Sequence, residues 1–156
     1  MTGGPGRRSR WTVPALAGAV VLLLDQLTKW WASDVLADRT IDLVWTLRLH
    51  LVFNTGTAFS LGEGRGALFA VLILLVIALL VRQGASTADP VARIAVGAII
   101  GGAIGNLADR AFREGGGFFG GAVVDFIDLQ WWPVFNVADS AIVVGGILVV
   151  WRGWRR

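Results

Sequence analysis

Phe135-Asn-Val-Ala-Asp139-Ser-Ala-Ile-Val-Val-Gly-Gly-Ile-Leu-Val-Val-Trp151 is apolar enough to span a bilayer, yet it carries an aspartate. A carboxylate near hydrocarbon is expensive and is rarely there by accident. If the helix begins at Trp132-Pro133, Asp139 lies roughly 7–10 Å below the outer boundary, with Asn136 on the same face. Two further acidic clusters accompany apolar sequence: Asn106-Leu-Ala-Asp109-Arg110 and Val124-Asp125-Phe126. Asp125 is bracketed by apolar residues and precedes the same span, so it can meet Asp139 at the mouth of a helix bundle. Closely spaced buried carboxyls should not both ionise, so one proton is shared. The ionised member can activate a water, and the protonated member can polarise a carbonyl. Asp128 also follows an apolar pair and is a rival to Asp125. The competing structural reading is an aspartate pair that only holds helices together.

Working outward, the chain has 156 residues, 55% of them apolar, and a mean hydropathy of +0.67. That composition fits one integral membrane domain, residues 1–156, mainly α. Four apolar stretches are visible, at about 11–32, 66–81, 91–111 and 134–151. A span needs about 20 residues at 1.5 Å each, so the second is short. Arg7, Arg8 and Arg10 precede the first run, as in a secretory signal. That run continues too long for one and contains Asp25 and Lys29, so it reads as a retained span.

Charge sets the orientation. With both termini and the 82–93 loop on one side, that side holds eight arginines and one acid, Asp89; the other holds ten acids and six bases. The arginine-rich side belongs in the cytoplasm. The net charge of +3 is modest, so the basic residues are topology signals and not a nucleic-acid footprint. All tryptophans but Trp45 fall near predicted span ends. The segments 33–65 and 112–132 are then extracytoplasmic. In the first, Leu47, Leu49, Leu51 and Phe53 alternate with Arg48, His50 and Val52, predicting a strand with one apolar face, before a turn at Asn54-Thr-Gly56. In the second, Gly115 to Gly121 enclose Phe118 and Phe119, which suggests either a hinged flap or a plain loop.

Composition also excludes chemistry. Without cysteine there is no disulfide, thiol nucleophile or thiolate metal site. His50 is the only histidine, which rules out a multi-histidine metal centre. Asp25 and Lys29, four apart, read as an ion pair within the first helix. Asn106, Asp109 and Arg110 share one side of the third helix near its outward end. Arg110 can pair with Asp109 or hold a substrate carbonyl or phosphate. Gly97, Gly101, Gly102 and Gly105 allow close helix packing. No internal repeat is evident.

Five motifs occur in order: Asp25-Gln-Leu-Thr-Lys29, Asn54-Thr-Gly-Thr-Ala-Phe59, Gly101-Gly-Ala-Ile-Gly-Asn-Leu-Ala-Asp-Arg110, Val123-Val-Asp-Phe126 and Phe135-Asn-Val-Ala-Asp-Ser140. This chain resembles the lipoprotein signal peptidase (signal peptidase II) family of bacterial inner-membrane aspartic peptidases. The resemblance covers about residues 20–145. It implies four transmembrane helices with a small extracytoplasmic β-sheet cradle in the 41–59 region. It implies removal of the signal peptide from diacylglyceryl-modified prolipoproteins, just before the lipid-modified cysteine. The family's catalytic pair maps onto Asp125 and Asp139, its substrate-binding residues onto Asn54, Asn106, Arg110 and Asn136, and supporting positions onto Asp25, Lys29 and Asp109. No metal or organic cofactor is implied. The expected partners are the prolipoprotein and membrane lipid, and the expected state is a monomer in the bacterial cytoplasmic membrane. The rival class is a small proton-coupled transporter or channel using the same acids as a relay. A third is a structural subunit, in which both aspartates could become asparagine without loss.

Overall fold

A computed structural model describes residues 7–55, 71, 74–75, 77–79, 88–114 and 119–154. Helix α1 spans Arg7–Val35, strand β1 Ile41–Val44, strand β2 Leu47–Asn54, helix α2 Pro90–Phe112, strand β3 Val123–Asp128 and helix α3 Val137–Trp154. Six helical positions between Val71 and Leu79 are also described. The rest of the 66–81 run, Gly56 of the expected turn, and Gly115 to Phe118 of the expected flap lie outside the described residues.

The helices follow from their caps and apolar runs. Asp89 precedes α2 and accepts the Val91 and Ala92 N–H groups at 2.9 and 3.1 Å, with Pro90 in the first turn, where its missing N–H is harmless. The other Asp89 oxygen takes Arg152 at 2.7 Å, tying the start of α2 to the end of α3. The stretches Trp11–Val35 and Pro90–Phe112 are long and apolar enough to cross a membrane. The 29 residues of α1 reach about 44 Å and the 18 of α3 about 27 Å.

Helix α2 packs between α1 and α3. Its approach to α1 is made by small residues. A side chain on Gly97 would run into the Pro14 carbonyl, and one on Gly101 into the Gly18 backbone. Leu16, Leu23 and Leu27 on α1 and Val143, Ile147 and Val150 on α3 are more than half exposed. Charged and amide side chains are buried instead: Asp25, Lys29, Asp109, Asp125, Asp128 and Asn136. Apolar outside and polar inside is the pattern for a lipid surround.

The strands form one antiparallel sheet in the order β1-β2-β3. Strand β2 is the alternating segment expected from sequence, but its apolar face is not continuous. A bulge between Leu49 and Val52 breaks the register. Leu49 and Leu51 pack on a core of Ala32, Leu36 and Phe126, whereas Phe53 is 55% exposed. Beyond β3 the chain doubles back, and Phe135 exchanges backbone hydrogen bonds with Ile127 at 2.8 and 3.0 Å. That return delivers Asn136 beside Asp125. Helix α3 starts at Val137, not at Trp132-Pro133, because Phe135 is held in this bridge. Asp139 is therefore in the first turn and not one to two turns down.

If Gly97 and Gly101 set the α1–α2 distance, Gly101→Val should destabilise the protein by about 1–3 kcal/mol through overpacking. Gly146→Ala should be nearly silent, since nothing lies within 4 Å of an added methyl there. Thermal unfolding of the purified protein in detergent checks both.

Candidate active site

The site grows from a lysine that water cannot reach. Asp25 and Lys29 sit one turn apart on α1, both fully buried. The Lys29 ammonium donates to Asp25 Oδ2 at 2.8 Å, Asp109 Oδ2 at 2.9 Å and Asn106 Oδ1 at 2.8 Å. An ammonium has three protons, and all three are used. The ion pair expected within α1 is thus one arm of a junction between α1 and α2. Gly105 makes room for it, since a side chain there would strike the Asp25 carboxylate.

The surrounding carboxylates reach other elements. Asp25 Oδ1 accepts the Ala138 N–H at 3.0 Å, satisfying a free donor in the first turn of α3. Asp109 accepts the Val124 N–H at 3.2 Å, which anchors β3, and takes Arg113 at 2.9 Å. Arg113 escaped the sequence reading, although its spacing of four from Asp109 is an ion-pair signal. Arg110 is half-buried, and its carbonyl accepts the Gly121 N–H at 3.1 Å.

Asn136 and Asp139 close the site. Asp139 N–H donates to Asn136 Oδ1 at 2.9 Å, and Asn136 N–H donates to Asp139 Oδ2 at 3.2 Å. This reciprocal pair is a capping box, built with Asp in place of the usual Glu or Gln. The Asn-x-x-Asp spacing was the signal that could have placed the helix start. The Asn136 amide also donates to Asp125 Oδ1 at 2.7 Å and to Asn106 Oδ1 at 3.1 Å. One residue therefore holds both aspartates, Asp125 by its side chain and Asp139 by its backbone. Asn106 Nδ2 donates to Asp139 Oδ1 at 2.8 Å, and Asn54 Nδ2 to Asp125 Oδ2 at 3.0 Å.

Asp125 is 2% exposed. Burial pushes its carboxyl up to about 6; the Asp139 charge adds to this, while Asn54, Asn136 and Lys29 oppose it. Asp128 behaves differently. It lies an odd number of residues along β3, where Arg48 holds it at 2.7 Å and the Gln130 N–H at 2.7 Å. Burial works against its charge, but these partners outweigh burial and keep it below the usual carboxylate range. The geometry separates the rivals: Asp125 joins Asp139, and Asp128 joins the sheet's edge. His50 lies on β2 and pairs with Thr40 at 3.0 Å, outside this cluster.

Residues 17–155 match the family described as signal peptidase (SPase) II. The chain belongs to the signal peptidase II family. Its relatives include the lipoprotein signal peptidase of Syntrophomonas wolfei, 46% identical over 134 residues, covering 84% of this chain and 85% of the relative. That of Polynucleobacter necessarius is 42% identical over 147 residues, covering 88% and 86%. A bacterial membrane enzyme solved by the in meso method superposes with a TM-score of 0.76 at 26% identity, covering 91% of this chain and 87% of that one. A second such structure gives 0.74 at 26% identity, covering 88% and 89%. As a member of the signal peptidase II family, the chain is a peptidase of a bacterial membrane. Its architecture is mainly helical with a small antiparallel sheet.

The raised Asp125 carboxyl has a consequence for stability. The folded protein favours the protonated form, so this contribution is full below about pH 4 and is lost as pH rises through about 6. Two units correspond to about 3 kcal/mol. Asp125→Asn does not ionise. Its unfolding temperature should therefore gain on that of the wild type as pH is raised across this window, measured side by side in detergent.

Proposed function

We propose that this protein is an intramembrane aspartic endopeptidase that removes the signal peptide from diacylglyceryl-modified prolipoproteins, cleaving before the lipid-modified cysteine. The observation that carries the reading is the single asparagine, Asn136, that clasps Asp125 and Asp139 at the junction of sheet and bundle. Two carboxyls held this way can share one proton, and burial of Asp125 supplies the reason for one to stay protonated. Water loses its proton to the ionised carboxylate as its oxygen adds to the scissile carbonyl. The protonated carboxyl gives its proton to the carbonyl oxygen. The tetrahedral intermediate collapses when the carboxyl that took the water proton passes it to the leaving nitrogen, the C–N bond breaks, and one hydroxyl of the intermediate gives its proton to the other carboxylate. Water and two carboxyls suffice, so the reaction calls on no metal or organic cofactor.

Asn54 and Arg110 are then substrate-binding groups beside the pair, with Asn106 and Asn136, while Asp25, Lys29 and Asp109 support them. The chain crosses the membrane four times, at about 11–32, 66–81, 91–111 and 134–151, with both termini in the cytoplasm. The sheet and the pair face the extracytoplasmic side. The substrate enters laterally from the lipid, and a monomer is sufficient. A transporter reading would call for acids accessible from both sides. Here both aspartates gather where α3 begins, against the sheet, which favours hydrolysis.

Cleavage of a diacylglyceryl-modified prolipoprotein by purified protein tests the activity. Asp125→Asn and Asp139→Asn should each lower kcat by about 10²-fold or more, and Asp128→Asn should retain substantial turnover. Near-normal turnover in either of the first two would rule out the assignment. A cysteine introduced at Ser86 should resist impermeant reagent outside intact cells; labelling there would reverse the topology.

A further inference from the structure

Trp45 is the one tryptophan that the span ends leave unexplained. It sits in the turn between β1 and β2 and is 94% exposed, so its ring packs on almost nothing in this chain. Its φ of 52° is a left-handed conformation, which a bulky residue adopts only with strain. Glycine or asparagine would serve such a turn better. Neither packing nor turn geometry therefore accounts for a tryptophan here. Its neighbours Leu43 and Val44 on the edge strand β1 are also more than half exposed. Successive residues of a strand face opposite ways, so this end of β1 is apolar on both faces.

Hydrogen bonds bring two more tryptophans to the same end of the sheet. The Gln130 side-chain amide donates to the Thr46 carbonyl at 3.0 Å, and its backbone N–H donates to Asp128 Oδ1 at 2.7 Å. Asp128 Oδ2 takes Arg48 of β2 at 2.7 Å. These bonds tie the β1–β2 turn to the segment after β3. There Trp131 and Trp132 stand edge to face at 6.3 Å, 68% and 59% exposed. Asp128 is three residues, about 10 Å, along β3 from Asp125. Trp132 is five residues before the start of α3, whose Val143 and Ile147 belong to the exposed apolar surface. In water an apolar edge of this kind is a liability. At a membrane interface the indole ring and its N–H both find partners.

We propose that Trp45, Trp131 and Trp132 form an interfacial foot, by which this end of the sheet docks in the phospholipid headgroup layer of the outer leaflet. The ties through Gln130 and Asp128 keep the three rings at one end of the sheet. The sheet that carries Asp125 is then held to the bilayer at this end as well as at the helix bundle. This rests on the membrane placement given above and not on the peptidase chemistry.

The chain has no cysteine, so a single one can be introduced as Trp45→Cys or Trp132→Cys and labelled with an environment-sensitive NBD fluorophore. The full chain is reconstituted in phosphatidylcholine–phosphatidylglycerol vesicles with iodide on both sides. At both positions, a nitroxide near the head of the lipid chain should quench at least about twofold more than one near its tail. Iodide should quench at least about threefold less than on the same labelled protein unfolded in denaturant. Both results should hold when the protein is diluted tenfold in lipid. A label at position 45 that is open to iodide and untouched by either nitroxide would overturn the proposal. Protection lost on dilution would also overturn it, by marking a contact between two copies of the chain. A second arm keeps the label off the rings. With the label at Asp42→Cys, quenching by the nitroxide near the head should fall at least about twofold when all three tryptophans become serine; no change would overturn the proposal. The peptidase reading is judged separately. Cleavage by a protein whose label at 45 is water-exposed would sink the foot alone, whereas a protected label on a protein that cleaves nothing would support the foot and sink the peptidase reading.

Discussion

A fully buried ammonium cannot be left with an unused proton, and the rest of this structure is arranged around that constraint. Lys29 needs three acceptors and finds them on α1 and α2. Each acceptor then has a second duty. Asp25 reaches α3 through the Ala138 N–H, Asp109 reaches β3 through the Val124 N–H, and Asn106 reaches Asp139. Removing one partner from such a cluster leaves an uncompensated buried charge, a loss of about 3–5 kcal/mol in comparable cases. The same residues that hold the elements together therefore fix where the two candidate carboxyls stand.

The start of α3 shows why the arrangement is economical. A helix beginning within a bundle exposes N–H groups that lipid cannot satisfy. Here Asp25 takes the N–H of Ala138, and Asn136 takes that of Asp139. Asn136 spends its oxygen on this cap and its amide protons on Asp125 and Asn106. A helix cap and an acid pair are thus one object. Neither can be altered without moving the other.

Much of this was legible in the chain. Buried polar residues in an apolar sequence announce themselves, and Asp25, Lys29, Asn106, Asp109, Asp125, Asn136 and Asp139 all fall within one network. The alternation from Leu47 to Phe53 gave β2. Other features were hidden for physical reasons. The bulge between Leu49 and Val52 leaves no mark on the hydrophobic pattern. Strand β3 has five of its six residues buried, so Val123 to Asp128 shows no alternation to read. β1 is only four residues long and joins β2 through Trp45, which adopts a positive φ of 52°. The start of α3 was placed too early because Trp132 and Pro133 look like an entry to a span, whereas a tertiary bridge at Phe135 holds the chain extended for three residues more.

The placement of Asp125 on a strand and Asp139 on a helix bears on how such a site can work at a membrane. A strand edge can offer backbone groups to an extended peptide, which a helix cannot, because its own are spent. A helix N-terminus can stabilise a carboxylate, which a sheet does only weakly. Joining the two types of element puts the buried, readily protonated carboxyl on the strand and the other in the first turn of the helix, each with a donor on both oxygens. Asn136 makes the join, at 2.7 Å to Asp125 and 3.2 Å to Asp139. The two carboxyls thus sit on different kinds of element, and one asparagine side chain and backbone link them.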